Sequence, residues 1–306
     1  MKCVSYSIFG YGKPQPENCF SHASYLRGLA INLRLNRILY PDWVTVIHVD
    51  KSTHDAFGQY FNDIANSKVE VIICPDAPLC LAMLWRLKPV FERVWDSDAG
   101  GYTGWKYTHV ICRDVDSPPT YREVQAVEKW VADDSAAHAI TDSVSHTIPM
   151  MGGMIGFRPH YFSERVGVLG WQELIGKGHD INYENKGSDQ DFLNRHVYPY
   201  FARQGNSSIT AHYFSGHPNN FLPHYHTCTC PPPSGHAENC PNNYKIDLPD
   251  ELKESNSICG HVGSSGSYST ALEKFLRKFS GRFDDINLAE KSNPDIFYWQ
   301  KDGSIP

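Results

Sequence analysis

Asp114 and Asp116 stand two residues apart in "THVICRDVDSPPTYRE", the stretch from Thr108 to Glu123, where an apolar run gives way to charge and then to two prolines. Side chains alternate along an extended chain, so the two carboxylates point the same way. Neighbouring carboxylates repel; a cation between them, a shared proton or full exposure to water relieves the repulsion. A hard divalent ion such as Mg2+ or Mn2+ takes oxygen ligands and binds nucleotide phosphates at the same time. Asp-Ser-Pro-Pro is also a ready turn, and a solvated strand end would use the same residues. The choice between these readings rests on what surrounds the pair.

The first 160 residues alternate short apolar runs with helical patterns, as a sheet of βαβ units does. "KCVSYSIFG", "WVTVIHVD", "VEVIICP" and "YTHVICRDVD" read as strands. Between them the spacing predicts helices over Asn18 to Leu39, Ala56 to Ala65 and Leu79 to Trp95, the last kinked or divided at Pro89, with Tyr121 to Ala132 following. The aspartate pair therefore falls at the carboxyl end of a parallel strand, where open α/β sheets bind their ligands. Beyond it the pattern loosens into "HAITD", "MMGGMIGFRP" and a helix in "SDQDFLNRHVYP". A Pro-, His- and Cys-rich loop over 217–249, a late helix from Thr270 to Phe279 and a tail over 284–306 complete the chain. One domain over 1–283 is expected, with a regular α/β half (1–160) and an irregular half (161–283).

Composition narrows the function. A chain of 306 residues with 41% hydrophobic and 13% aromatic residues can bury a substantial core. A formal charge of −6 argues against a generally basic nucleic-acid surface, though a basic groove can exist on an acidic protein. "MKCVSYSIFGYG" lacks the basic start and apolar core of a signal peptide, and no apolar run reaches membrane-span length. Nine cysteines, an odd number, read as reduced thiols. The expectation is a soluble cytoplasmic protein.

Further stretches carry chemistry. The first strand leaves through "SIFGYGKPQPEN", where Tyr6 or Tyr11 could stack on a nucleotide base; the loop lacks both the dinucleotide fingerprint and the Walker lysine. Gly152 and Gly153 in "MMGGMIGFRP" indicate a bulge, a close approach by a ligand, or tight packing. Asp189, Gln190 and Asp191 open a helix, where an aspartate is ordinarily a cap. "DSVSHTIPM" brings Asp142 and His146 together, and "ICGHVGSSGS" sets His261 among glycines, a site that could deliver an imidazole to a phosphate or metal. Cys228, Cys230 and Cys240 with His236 could hold a structural Zn2+, against the plainer reading of a reduced Pro-rich loop.

In their order along the chain, "DVD", "GGMIGFRP", "DQDFLN" and a late His-x-Gly resemble the nucleotide-sugar glycosyltransferases of the GT-A fold, most closely the retaining family-8-like group. The wider string "RDVDSPPTYREVQAVEKW" is similar to uncharacterised sugar transferases of bacteria and large DNA viruses. The resemblance implies a GT-A-like (Rossmann-like) α/β fold, a mixed sheet flanked by helices with an irregular C-terminal cap. It implies that Asp114, Asp116 and His261 bind Mn2+ or Mg2+ against the diphosphate of a nucleoside diphosphate sugar, a UDP-sugar above all. Gly152 and Gly153 would admit the sugar, and Asp189, Gln190 and Asp191 would line its reactive face. Ser5, Tyr6, Tyr11, Asp50, Arg86, Arg113, Ser117, Asp142 and His146 are the further candidates for the donor site. Gln190 beside the anomeric carbon would make the transfer retaining, whereas Asp189 acting as a base would make it inverting. Here "HVGSSGS" departs from the family pattern, lacking its spacing and its lysine. The acceptor hydroxyl could belong to a glycan, a protein or a hydroxymethylated base of viral DNA. A nucleotidyltransferase acting on sugar phosphates and an inactive nucleotide-sugar-binding module are the competing functions.

Overall fold

The computed structural model describes residues 1–11, 22–115, 117, 119, 121–141, 148–202 and 209–213. Seven strands form one sheet in the order β3-β2-β1-β6-β8-β7-β9. These are β1 (Lys2–Ile8), β2 (Trp43–Asp50), β3 (Val69–Cys74), β6 (His109–Arg113), β7 (Ala137–Thr141), β8 (Met154–Phe157) and β9 (Ile209–Tyr213). All run parallel except β8, which lies antiparallel between β6 and β7. The α/β fold expected from the resemblance, a mixed sheet flanked by helices, is the one observed.

Period-two alternation sends successive strand residues to opposite faces, each with its own core. On one face Val4, Tyr6, Ile8 and Ile111 pack with α1 (His22–Leu39), α2 (Lys51–Ile64) and α4 (Tyr121–Ala132) through Leu29, Leu33, Phe61, Val127 and Trp130. On the other, Cys3, Val110, Cys112, Ile155 and Phe157 meet Leu84, Leu87 and Val90. That face also takes Phe162 of α5 (Pro159–Val166), Leu174 of α6 (Trp171–Gly176), Phe192 of α7 (Ser188–Phe192) and Phe201 of α8 (Tyr198–Ala202).

The helix expected from Leu79 to Trp95 is instead a short α3 (Leu79–Met83) followed by a 3-10 segment, Leu84–Phe91. Pro89 has no N–H to donate and cannot continue α bonding. With three residues per turn, Leu84, Leu87 and Val90 fall on one ridge and are all buried. The chain then turns out into a hairpin that the sequence pattern did not reveal, β4 (Arg93–Asp96) with β5 (Gly101–Trp105). Helix α2 starts five residues earlier than its apolar pattern indicates, because Asp50 caps it by accepting from the Thr53 N–H at 3.1 Å.

Arg113 and Asp114 leave β6 towards opposite faces. The Arg113 guanidinium lies 2% exposed against α4, its Nε 2.5 Å from Glu123 and its Nη1 donating to the carbonyls of Cys112 and Ile155. The Tyr40 hydroxyl donates to the same Glu123 oxygen at 3.2 Å. Burial opposes the positive charge of Arg113, and Glu123 restores it. Removing one partner of such a pair strands a buried charge, so Glu123→Ala should cost about 3–5 kcal/mol. Urea unfolding of the variant against the parent checks this.

Candidate functional site

Three charged side chains from three segments meet at the carboxyl end of the parallel strands. Arg86, on the 3-10 segment and 4% exposed, is ion-paired through Nη1 to Asp114 and stands 3.6 Å through Nη2 from Oδ2 of Asp189. Asp114 follows β6 with its side chain 39% exposed, whereas Asp189, in the first turn of α7, is buried. Burial lifts the Asp189 carboxyl above the usual carboxylate range; Arg86 pulls it down and the Asp114 charge pushes it up. Burial works against the Arg86 charge too, and the two carboxylates outweigh it, raising its pKa.

The antiparallel register explains the glycines. Arg113 pairs with Met154 and Cys112 with Ile155, so one step further Asp114 comes opposite Gly153. Gly152 and Gly153 are the middle residues of a turn closed by the Met154 N–H on the Met151 carbonyl at 2.8 Å. Neither has positive φ; what they supply is the missing side chain. A Cβ on Gly152 would lie 2.8 Å from Arg86 Nη2 and 3.2 Å from Asp189 Oδ2, and one on Gly153 would overlap the Asp114 carboxylate. Of the readings open for these glycines, tight packing is the one the structure displays, and charged side chains of this chain do the packing.

Backbone contacts hold the aspartate end of β6 in place. Asn32 of α1 donates to the carbonyls of Asp114 and Val115 at 3.2 and 3.0 Å, and the buried Ser117 donates its N–H to the Asp114 carbonyl at 3.2 Å. Asn32 was not among the expected residues. Its signal, a polar residue in the middle of a helix that otherwise buries Leu29, Leu33 and Leu35, was present in the sequence.

Several expected donor contacts have other roles. Arg113 belongs to the core pair with Glu123, on the face away from Asp114, which corrects the expectation that it adds charge at the donor. Tyr6 is fully buried with its hydroxyl bonded to Asn36 and cannot stack on a base. Ser5 is likewise wholly buried. Asp50 is a cap and an anchor: besides Thr53 it accepts from the Gly10 N–H at 2.9 Å and the Ser52 hydroxyl at 3.1 Å, fixing the exit of β1. Tyr11, by contrast, is exposed, edge-on to Phe57 at 5.0 Å. Gln190 is half-buried beside Asp189, and Asp191 is exposed. Asp116, Asp142, His146, His261 and the zinc candidates Cys228, Cys230, Cys240 and His236 lie outside the described residues.

Asp114 offers a part-exposed carboxylate, the kind of oxygen ligand a hard divalent ion takes, and here it is ion-paired to the Arg86 guanidinium. Among the described residues alone no group of three metal-binding side chains forms, and no helix is long and apolar enough to cross a membrane.

No family model and no curated protein matches the chain. Solved structures similar to it include the glycosyltransferase GlyE of Streptococcus pneumoniae, at 10% identity and TM-score 0.40 over 68% of this chain and 44% of that one. This chain thus spans less than half of GlyE. A 4-diphosphocytidyl-2C-methyl-D-erythritol synthase from Anaerococcus prevotii aligns at 10% identity and TM-score 0.40, over 83% and 94% of the two chains. The galactosyltransferase LgtC, solved with donor and acceptor sugar analogues, aligns at 10% identity and TM-score 0.39 over 92% and 100%. Likeness at that level leaves the chemistry to be argued from this chain's own residues.

Two measurements test the site. Arg86→Met removes the cation that lowers the Asp189 carboxyl, so its titration midpoint, read by carbon NMR, should move further up. Gly153→Ala should displace Asp114 and cost about 1–3 kcal/mol, the usual penalty for overpacking, measured by thermal unfolding.

Proposed function

We propose that this protein is a metal-dependent glycosyltransferase that moves a sugar from a nucleoside diphosphate sugar to an acceptor hydroxyl. The observation that carries the reading is the meeting of Asp114, Arg86 and Asp189 over a side-chain-free glycine turn, at the sheet end where α/β folds bind ligands. Such a donor brings a diphosphate that needs positive charge and a sugar that needs a close, uncluttered wall. Arg86 supplies the first, and the Gly152–Gly153 turn lacks side chains of its own beside the charged groups that would face the sugar.

Asp114, with Asp116 and His261 as its expected companions, would hold Mn2+ or Mg2+. Bound there, the ion would supply Lewis acidity at the diphosphate. Arg86, freed from Asp114, can turn its guanidinium to a phosphate oxygen while Asp189 keeps its other side. The bond from the anomeric carbon to the diphosphate oxygen breaks, the acceptor oxygen bonds to that carbon, and the acceptor proton passes to the departing diphosphate.

Retention is the favoured outcome. Asp189 is buried against Arg86, whereas Gln190 is half-buried and presents an amide that cannot act as a base. That amide can stabilise positive charge developing at the anomeric carbon. UDP-sugars are the proposed donors, and a hydroxyl on a glycan, a protein or a modified base the proposed acceptor.

The test is a panel of UDP- and GDP-sugars with glycan, peptide and hydroxymethylated DNA acceptors, read by mass spectrometry, with donor hydrolysis followed when no acceptor is added. Transfer or hydrolysis should be abolished by EDTA, restored by Mn2+, and lost in Asp114→Ala with the fold intact. NMR of the first-formed product should show the donor's anomeric configuration kept. Full activity in EDTA overturns the metal role. Release of pyrophosphate from a nucleoside triphosphate, without sugar transfer, replaces the reading with a nucleotidyltransferase.

A further inference from the structure

We propose that Asn194 is a positioning residue that keeps Gln190 and the Gly152–Gly153 turn in one register across the sugar pocket, an inference that rests on the sugar-transfer reading of the site. Its side-chain amide makes three hydrogen bonds to backbone. Oδ1 accepts from the Met150 N–H at 2.9 Å, and Nδ2 donates at 2.8 Å to the Met150 carbonyl and at 2.8 Å to the Gln190 carbonyl. Both backbone groups of Met150 are thus held by one side chain, which acts as a strand partner would. Met150 itself is buried in the core beneath.

What hangs from Met150 gives the brace its consequence. Its neighbour Met151 opens the turn that closes on Met154, and within that turn Gly152 faces Arg86 and Asp189 while Gly153 faces Asp114. A shift of the Met150 backbone would move both contacts. At the other end of the brace, Gln190 lies beside Asp189, the partner of Arg86. One amide therefore ties the segment that carries Gln190 to the glycine turn, the two elements proposed to border the donor sugar.

The local backbone is built for this. Asn194 lies in a π turn, Leu193–Val197, inserted between α7 and α8. In a regular helix residues 189 and 194 would stand about 140° apart around the axis. Asp189 reaches Arg86 from α7, and Asn194 reaches Met150 from the start of the π segment that follows it. Such insertions cost regular helix bonding and occur mostly at functional sites. An asparagine suits the position because it alone offers one acceptor and two donors on a short stem.

The experiment compares Asn194→Ala and Asn194→Asp with the parent, using whichever donor sugar the panel identifies. A misplaced wall of about 1 Å costs on the order of 10²-fold in turnover. Asn194→Ala should therefore lower kcat by about that factor and move the donor KM far less, while hydrogen exchange at the Met150 amide quickens. Asn194→Asp keeps the acceptor for the Met150 N–H but sets a carboxylate against two carbonyl oxygens. Its kcat should be as low at neutral pH and recover as the pH falls and the carboxyl gains a proton to donate, a rise the parent lacks. A parental kcat in Asn194→Ala, whatever the exchange rate, overturns the inference and leaves the sugar-transfer reading standing. A pH profile for Asn194→Asp parallel to the parent's does the same. A parent protein that neither transfers nor hydrolyses any donor overturns both together.

Discussion

The guanidinium of Arg86 is the group around which the site is arranged, because a cation taken almost entirely out of water must be met by opposite charge. It is met twice, by Asp114 and by Asp189, which lie 75 residues apart in the sequence (189 − 114). Without the guanidinium the two carboxylates would face each other across a poorly solvated gap. With it they converge, in room left for them by two residues that carry no side chain. The arrangement holds positive charge buried and ready while leaving one carboxylate, that of Asp114, open to solvent.

That convergence depends on strand direction. Six strands of the main sheet run one way and β8 runs the other, which brings the start of β8 alongside the end of β6. Had β8 been parallel, its leading glycines would have lain at the far end of the sheet. The 3-10 segment contributes the third component: it crosses the face of the sheet on a buried ridge of Leu84, Leu87 and Val90 and presents Arg86 towards the strand ends. Packing energy on that ridge thus fixes the place of a charged group, linking core formation to the chemistry of the site.

Two adjacent arginine and aspartate residues show how the sheet divides structural from chemical work. Arg113 is turned under the sheet and fastened to Glu123 of α4, so its charge serves the fold. Asp114 emerges above, part-exposed and paired with Arg86. The same division holds among the amides. Asn36 satisfies the buried hydroxyl of Tyr6, while Asn32 and Asn194 hold backbone next to Asp114 and Gly152. Hydrogen bonds from side chains to the backbone of distant segments help specify one arrangement of the segments they join.

Much of the framework was legible in the sequence. Strand runs rich in Val and Ile, their alternation with helical patterns and the position of Asp114 at a strand end follow from local periodicity, which depends on near neighbours only. The relevance of Gly152, Gly153 and Asp189 to one site came from their order along the chain and not from any local rule. The places of Arg86 and Asn194 were decided by tertiary structure. Arg86 occupies an otherwise apolar ridge, and Asn194 is a common residue in a helix; what gives each its role is a partner at a sequence distance of 28 residues for Arg86–Asp114 and 44 for Asn194–Met150. Partners distant in sequence also decide where other polar residues go. Tyr6, Asp50 and Arg113 have the chemistry of donor contacts, but an alternating strand sends Tyr6 and Arg113 into the core, and Asp50 serves the helix that follows it. Residue type sets what a side chain can do. Which face it lands on, and what else arrives there, is settled only when the sheet forms.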